Sequence, residues 1–121
     1  MPVMDSSYML RDGSTNLDGN ETGDGIKVGA CPLGGMLAFF YVPSDGTTVT
    51  LTLQQSSDDG DSDAYEAIPG CAWTMTVGAT DYAERVFWTE EYIRLVASSN
   101  TGDWGAVQVG LVMGGEPKHI A

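Results

Sequence analysis

Thr47-Thr48-Val49-Thr50-Leu51-Thr52-Leu53-Gln54-Gln55-Ser56-Ser57 is the stretch whose reading decides the fold class. Val49, Leu51 and Leu53 recur at every second position, and Thr48, Thr50, Thr52 and Gln54 between them are polar. Successive side chains on a strand point to opposite faces, so this alternation buries one face and wets the other. Asp45-Gly46 before it and Asp58-Asp59-Gly60 after it are turn chemistry. The segment predicts a long strand in a half-buried antiparallel sheet.

Working outward, the same period recurs. Ile26, Val28 and Ala30 alternate with Lys27 and Gly29, predicting a short strand. Residues 36–42, Met-Leu-Ala-Phe-Phe-Tyr-Val, are apolar throughout and end at Pro43. So short and aromatic a run predicts a strand covered on both faces: one by the core, the other by a loop, the N-terminal arm or a neighbouring subunit. Residues 65–68 read as a brief extended segment. Cys71, Trp73, Met75 and Val77 alternate with Ala72, Thr74 and Thr76 as a further strand. At the C-terminal end, Val107, Val109, Leu111 and Met113 alternate with smaller or polar neighbours.

Residues 80–96 admit two readings. Asp81 with Glu84 forms a capping-box pattern ahead of a Tyr82, Val86, Phe87 stripe, which would make a helix over 81–91. At period two, Val86 and Trp88 form the end of one strand, Ile93 and Leu95 lie in the next, and Thr89-Glu90-Glu91 connects them. Aromatic and β-branched residues dominate, which favours two strands. The total is about eight strands, all-β, arranged as an antiparallel β-sandwich.

At 121 residues and 12.8 kDa the chain is long enough for one core. A chain of this size buries roughly two thirds of its unfolded surface and needs no metal or disulfide to fold. The sandwich domain is expected over residues 26–115. A strand near residues 7–11 and an extended arm or loop, together residues 1–25, precede it, and a short tail, 116–121, follows. Residues 1–25 carry Asp-Gly pairs at 12–13, 18–19 and 24–25 and few apolar residues, which reads as turn chemistry. Cys31 and Cys71 have no paired spacing; two thiols are preferred to one disulfide.

Five basic residues against seventeen acidic give a net charge of −12. That field repels nucleic acid and anionic membranes, and neither is an expected partner. No stretch reads as a signal peptide or a membrane span, and the expectation is a soluble protein made in the cytoplasm. His119 is the only histidine and lies in the tail, so neither a catalytic triad nor a histidine-based metal centre can be assembled on the strands. Asp59, Asp61 and Asp63 have the spacing of a calcium loop. The glycine and bidentate glutamate it requires are replaced by Ala64 and Gly70. No catalytic residue, metal ligand or cofactor is expected, and the chain is not read as an enzyme. Trp73 and Trp88 read as core. Trp104, between Asp103 and Gly105, is the tryptophan expected to be exposed to a partner.

Three segments together carry a resemblance: Val49-Thr-Leu-Thr-Leu-Gln-Gln-Ser-Ser-Asp-Asp-Gly60, Tyr92-Ile-Arg-Leu-Val96, and Val107-Gln-Val-Gly-Leu-Val112. Over roughly residues 26–113 the chain resembles the small jelly-roll capsid cement, or head decoration, proteins of tailed bacteriophages. The resemblance implies a sandwich of jelly-roll type located on the capsid exterior of the virion. The implied partners are the major capsid protein and further copies of the chain, as a homotrimer. The residues expected to touch the capsid are Met4, Tyr8, Leu10 and Arg11 in the N-terminal segment, and Asn100 and Trp104 in the loop before the last strand. Arg94 is expected to pair with a carboxylate on the sheet surface. The competing reading is a carbohydrate- or protein-binding sandwich module of a tail fibre or cell surface, carried by a row of exposed aromatic rings.

Overall fold

Alternation at period two, glycine-rich turns and scarce helix formers leave the backbone one way to satisfy its hydrogen bonds, which is strand pairing. The computed structural model describes residues 8–78 and 80–112. Nine strands run through them: β1 (Met9–Asp12), β2 (Glu21–Thr22), β3 (Ile26–Lys27), β4 (Met36–Tyr41), β5 (Thr48–Ser56), β6 (Glu66–Thr76), β7 (Tyr82–Val86), β8 (Tyr92–Ser98) and β9 (Gln108–Val112). Among the described residues no helix is long and apolar enough to cross a membrane.

All pairings are antiparallel. One sheet has the order β1-β9-β4-β7, and the other has β2-β8-β5-β6 with β3 also on β8. β2 and β3 are two pieces of one edge strand, interrupted at residues 23–25. Counting them as one gives eight strands, four to a sheet, with connections that pass repeatedly between the sheets. This is the double Greek-key order of a jelly roll. The expected fold class is therefore the observed one.

The anchor strand behaves as its alternation demands. Val49, Leu51 and Leu53 are fully buried, while Thr48, Thr50, Thr52 and Gln54 stay partly open on the outer face. They meet Met36, Ala38 and Phe40 of β4, Val109 and Leu111 of β9, and Ile93 and Leu95 of β8 in one apolar cluster. Burying each such aliphatic side chain is worth about 1.5–3 kcal/mol. Phe40 stacks on Tyr82 at 4.5 Å between centroids and takes the edge of Trp73 at 5.4 Å.

Residues 80–96 hold the two strands that the period-two reading favoured, with no helix, and Asp81 accepts a hydrogen bond from the Val42 amide (2.9 Å). Other expectations change. The segments expected at 65–68 and 71–77 fall together in one 11-residue strand, β6 (Glu66–Thr76), which carries a bulge of three extra residues. β5 advances two residues from Thr52 to Gln54, while β6 advances five from Ala67 to Ala72. Gly70, at φ 79°, supplies the left-handed turn of that bulge. Pro69 is tolerated because β6 is an edge strand. The bulge keeps Ile68 and Cys71 both facing inward, whereas Val77, past the strand end, is 67% exposed and not part of the core row. Both cysteines are free thiols, and burial pushes Cys71, with help from the nearby Glu84 charge, up to about 11.

The N-terminal segment is more closely integrated than an arm. β1 pairs with β9 and β2 with β8, so residues 9–22 contribute an edge to each sheet. Leu10 and Leu17 are buried in the main core. These two apolar residues, isolated among Asp-Gly turns, carried no periodic signal to announce their burial.

The Tyr82 hydroxyl is buried and has no hydrogen-bond partner among the described residues. Burial and the Glu84 charge push its pKa upward. An unpaired buried hydroxyl costs about 1–3 kcal/mol, and removing it leaves the ring stack intact. Tyr82→Phe is therefore expected to leave stability unchanged or raise it, read as the urea midpoint. A loss of 1 kcal/mol or more would mean the hydroxyl has a partner.

Candidate functional site

Four places concentrate polar or apolar side chains. The first is an open cleft of about 660 Å³ between the edge strands β1 and β2–β3, lined among others by Met9, Leu10, Arg11, Glu21 and Asp24. Arg11 is its centre, and its side chain is committed. The guanidinium pairs with Glu21 and donates to the carbonyls of Thr15 (2.9 Å) and Val107 (2.8 Å). One planar fork thus ties β1 to the following loop, to β2 and to the residue before β9, a task lysine lacks the geometry for. Of the N-terminal residues expected at a capsid contact, Leu10 is core, Arg11 is this clamp and Tyr8 packs partly buried against the core. Met4 lies outside the described residues.

The second is the loop before β9, where Asn100 and Trp104 were expected to meet a partner. Trp104 is instead fully buried, which corrects that expectation. Its indole N–H donates to Asn100 Oδ1 (3.1 Å), and its backbone amide donates to the Leu17 carbonyl (2.9 Å). Asn100 also donates to the Gly19 carbonyl (3.0 Å) and, through its own amide, to Asn20 Oδ1 (2.9 Å). A Cβ at Gly46 would collide with the indole ring, so the Asp45-Gly46 turn can close only with glycine there. The two residues form a plug at one end of the sandwich. Sequence context, a tryptophan between aspartate and glycine, had pointed to solvent because the cavity it fills is built from distant loops.

The third is the acidic β5–β6 loop, which is internally bonded throughout. Ser56 Oγ donates to the Asp63 carbonyl (2.6 Å) and accepts from the Gly60 amide (2.8 Å). The Asp58 carboxylate accepts from the amides of Ser62 (2.9 Å) and Asp63 (3.1 Å), which hold its pKa below the ordinary value. Asp63 accepts from the Ser57 amide (2.8 Å), and Asp59 accepts from the Tyr65 hydroxyl (2.7 Å). The Tyr65 ring lies under the Arg94 guanidinium at 4.2 Å, and Arg94 Nε donates to Gln54 (2.7 Å). Arg94 therefore meets a ring and an amide where a carboxylate was expected. Among the described residues no group of three or more His, Cys, Asp or Glu side chains is arranged to hold a metal ion.

The fourth is the outer face of the β1-β9-β4-β7 sheet. Leu37, Phe39 and Tyr41 point outward from β4, as their neighbours Met36, Ala38 and Phe40 point inward. Register sets Leu37 between Val112 and Arg85, and Phe39 between Gly110 and Ala83. Leu37, Ala83 and Val112 are already buried, with Phe39 packed against them. Phe87 continues the β7 row at 55% exposure, and Leu33, at the tip of the turn closed by the Gly35 amide on the Pro32 carbonyl (2.9 Å), is fully exposed. The expectation that β4 is covered on both faces is met at Leu37, and Phe39 and Tyr41 remain partly open. Compared with protein-family models, curated proteins and solved structures, the chain finds no match in any of the three.

The Asp58 hydrogen bonds make a pH prediction. A carboxylate whose folded pKa lies below its unfolded value of 3.8 stabilises the fold above that value, and the contribution disappears as pH falls through the folded pKa. Asp58→Asn should therefore lower the urea midpoint at pH 7, and that deficit should shrink progressively as pH falls below 3.8. A deficit that stays constant as the solution is acidified would show that charge at Asp58 plays no part.

Proposed function

We propose that this chain is a virion structural protein of the capsid cement kind, one that binds the outside of an assembled tailed-phage capsid and stabilises it as a homo-oligomer, a trimer. The observation that carries the proposal is how the polar groups are used. Arg11, Asn100, Ser56, Asp58 and Asp63 each hold one piece of backbone against another. What remains for a partner is surface: a rigid sandwich with one polar outer face and one apolar one. A jelly roll carries many functions, so the fold by itself selects none. A cement protein, however, requires rigidity and repeated modest contacts and needs no reactive site.

The carbohydrate-binding reading needs exposed aromatic platforms. Trp88 and Trp104 are buried, and Trp73 is turned inward onto Phe40. That leaves no tryptophan row on the surface of the described residues; the rings that stay open on one face are Phe39, Tyr41 and Phe87, and the cement reading is preferred because the loop side chains that would hold a sugar are committed to backbone.

Stabilisation of a shell would follow from linkage, since a ligand that binds only the expanded, assembled state favours it over disassembly. Purified protein mixed with expanded shells of a tailed-phage major capsid protein should co-sediment at a saturating ratio. It should also raise the temperature at which the shells come apart. Protein left entirely in the supernatant, with no thermal shift, would contradict the proposal.

A further inference from the structure

Asp-Gly occurs five times in the chain, at 12–13, 18–19, 24–25, 45–46 and 59–60. An aspartate in this position can react with its own backbone. Glycine has no Cβ to shield its amide nitrogen, which can swing onto the side-chain carbon of the preceding residue. The step needs the carboxyl group and that amide to be unengaged and the turn around them open. Four of the five pairs lack that freedom.

Asp12 ends β1 in register with Gln108, its carboxylate accepts from the Ser14 amide (2.9 Å), and a Cβ on Gly13 would stand 2.9 Å from Gln108 Cγ. Gly25 is packed against the Tyr65 hydroxyl and Asp59 Oδ1, and Gly46 against the Trp104 indole. At 59–60 both reacting groups are engaged, the Asp59 carboxylate by the Tyr65 hydroxyl (2.7 Å) and the Gly60 amide by Ser56 Oγ (2.8 Å). Asp18 differs. It is exposed, and among the described residues neither its carboxylate nor the Gly19 amide has a hydrogen-bond partner. A Cβ on Gly19 would meet nothing within 4 Å.

We infer that Asp18-Gly19 is a site of spontaneous backbone modification, where Asp18 converts to isoaspartate and loosens the Trp104 end of the sandwich. The Gly19 nitrogen attacks Asp18 Cγ, an N–C bond forms and one C–O bond breaks. The departing oxygen leaves as water, carrying the amide proton and one proton from solvent. Water then reopens the succinimide ring. Opening at the main-chain carbonyl releases a carboxylate and a proton and routes the backbone through Cβ, one carbon longer than before. No cofactor or oxidant takes part.

The place of that extra carbon gives it an effect. On one side Leu17 is fully buried, its amide donating to the Gly105 carbonyl (2.8 Å) and its carbonyl accepting from the Trp104 amide (2.9 Å). On the other, the Gly19 carbonyl (3.0 Å) and Asn20 Oδ1 (2.9 Å) accept from Asn100, whose Oδ1 accepts from the Trp104 indole (3.1 Å). A longer chain between two anchored points gives up contacts at one of them. The inference is independent of the capsid reading.

The full chain, kept warm at neutral pH for weeks either folded or in urea, tests it. An isoaspartyl methyltransferase with a labelled methyl donor marks the product, and peptide mapping locates it. In the folded chain the label on the peptide containing residue 18 should exceed that at each other Asp-Gly pair by at least about tenfold, whereas the urea-unfolded chain should label at all five. Asp18→Glu should remove the label and Gly19→Ala should sharply reduce it, with the near-UV circular dichroism of both variants unchanged. The isoaspartyl fraction, separated chromatographically, should unfold at lower urea than the unmodified chain. A folded chain that labels first at residue 12, 24, 45 or 59, or not at all while the unfolded chain is converted, overturns the inference. An unchanged urea midpoint for the isoaspartyl fraction overturns its link to the Trp104 end.

Discussion

The structure depends on the burial of one face of β5 against the facing sheet. Val49, Leu51 and Leu53 sit at zero exposure opposite the inward rows of β4 and β9. Because side chains alternate, a slip of one residue in β5 would move all three to solvent and bring Thr48, Thr50 and Thr52 inside. That loss, about 1.5–3 kcal/mol for each aliphatic group before the threonine hydroxyls are counted, specifies the register. β8 and β6 pair along the two sides of β5 and inherit it.

A chain with only five basic residues cannot close its loops by ion pairing. It closes them with neutral and charge-assisted hydrogen bonds to backbone instead. Asn100 gathers the loop before β9 onto residues 19 and 20, Gln55 accepts from the amides of Thr89 and Glu90, and Ser56 with Asp58 folds the acidic loop on itself. Arg11 is the exception, a single buried cation placed where four backbone segments converge. Carboxylates used as acceptors for backbone amides keep their charge without a cationic partner. The acidic composition is thus compatible with well-ordered loops, and the remaining charge is left to the ends of the sandwich.

β5, β8 and β9 were legible because burial of one face imposes a period on the sequence, and β4 because its short run is apolar on both faces. β2, two residues long, is too short for any period; the alternation at 26–30 did announce β3, although only Ile26–Lys27 of it is strand, and the pairing of both with β8 is fixed by contacts far away in the chain. The β6 bulge was read as a break because Pro69-Gly70 ends most strands, and only an edge position tolerates it. Trp104 was the clearest misreading. Its neighbours are loop residues, but the pocket it fills is made by Gly46, Leu17 and Asn100, which no local window contains. Surface roles were harder still. Arg11 and Arg94 look available in sequence, and in space each is occupied by groups at distant positions.

The register of β5, with Val49, Leu51 and Leu53 inside and Thr48, Thr50 and Thr52 outside, is the constraint on which the sandwich turns. Unfolding free energies of one inward and one outward variant test it most directly. Leu51→Ala is expected to cost about 2–5 kcal/mol, and Thr52→Val, on the outer face, to change stability by no more than about 0.5 kcal/mol. A small loss at Leu51, or an equal loss at both positions, would contradict it.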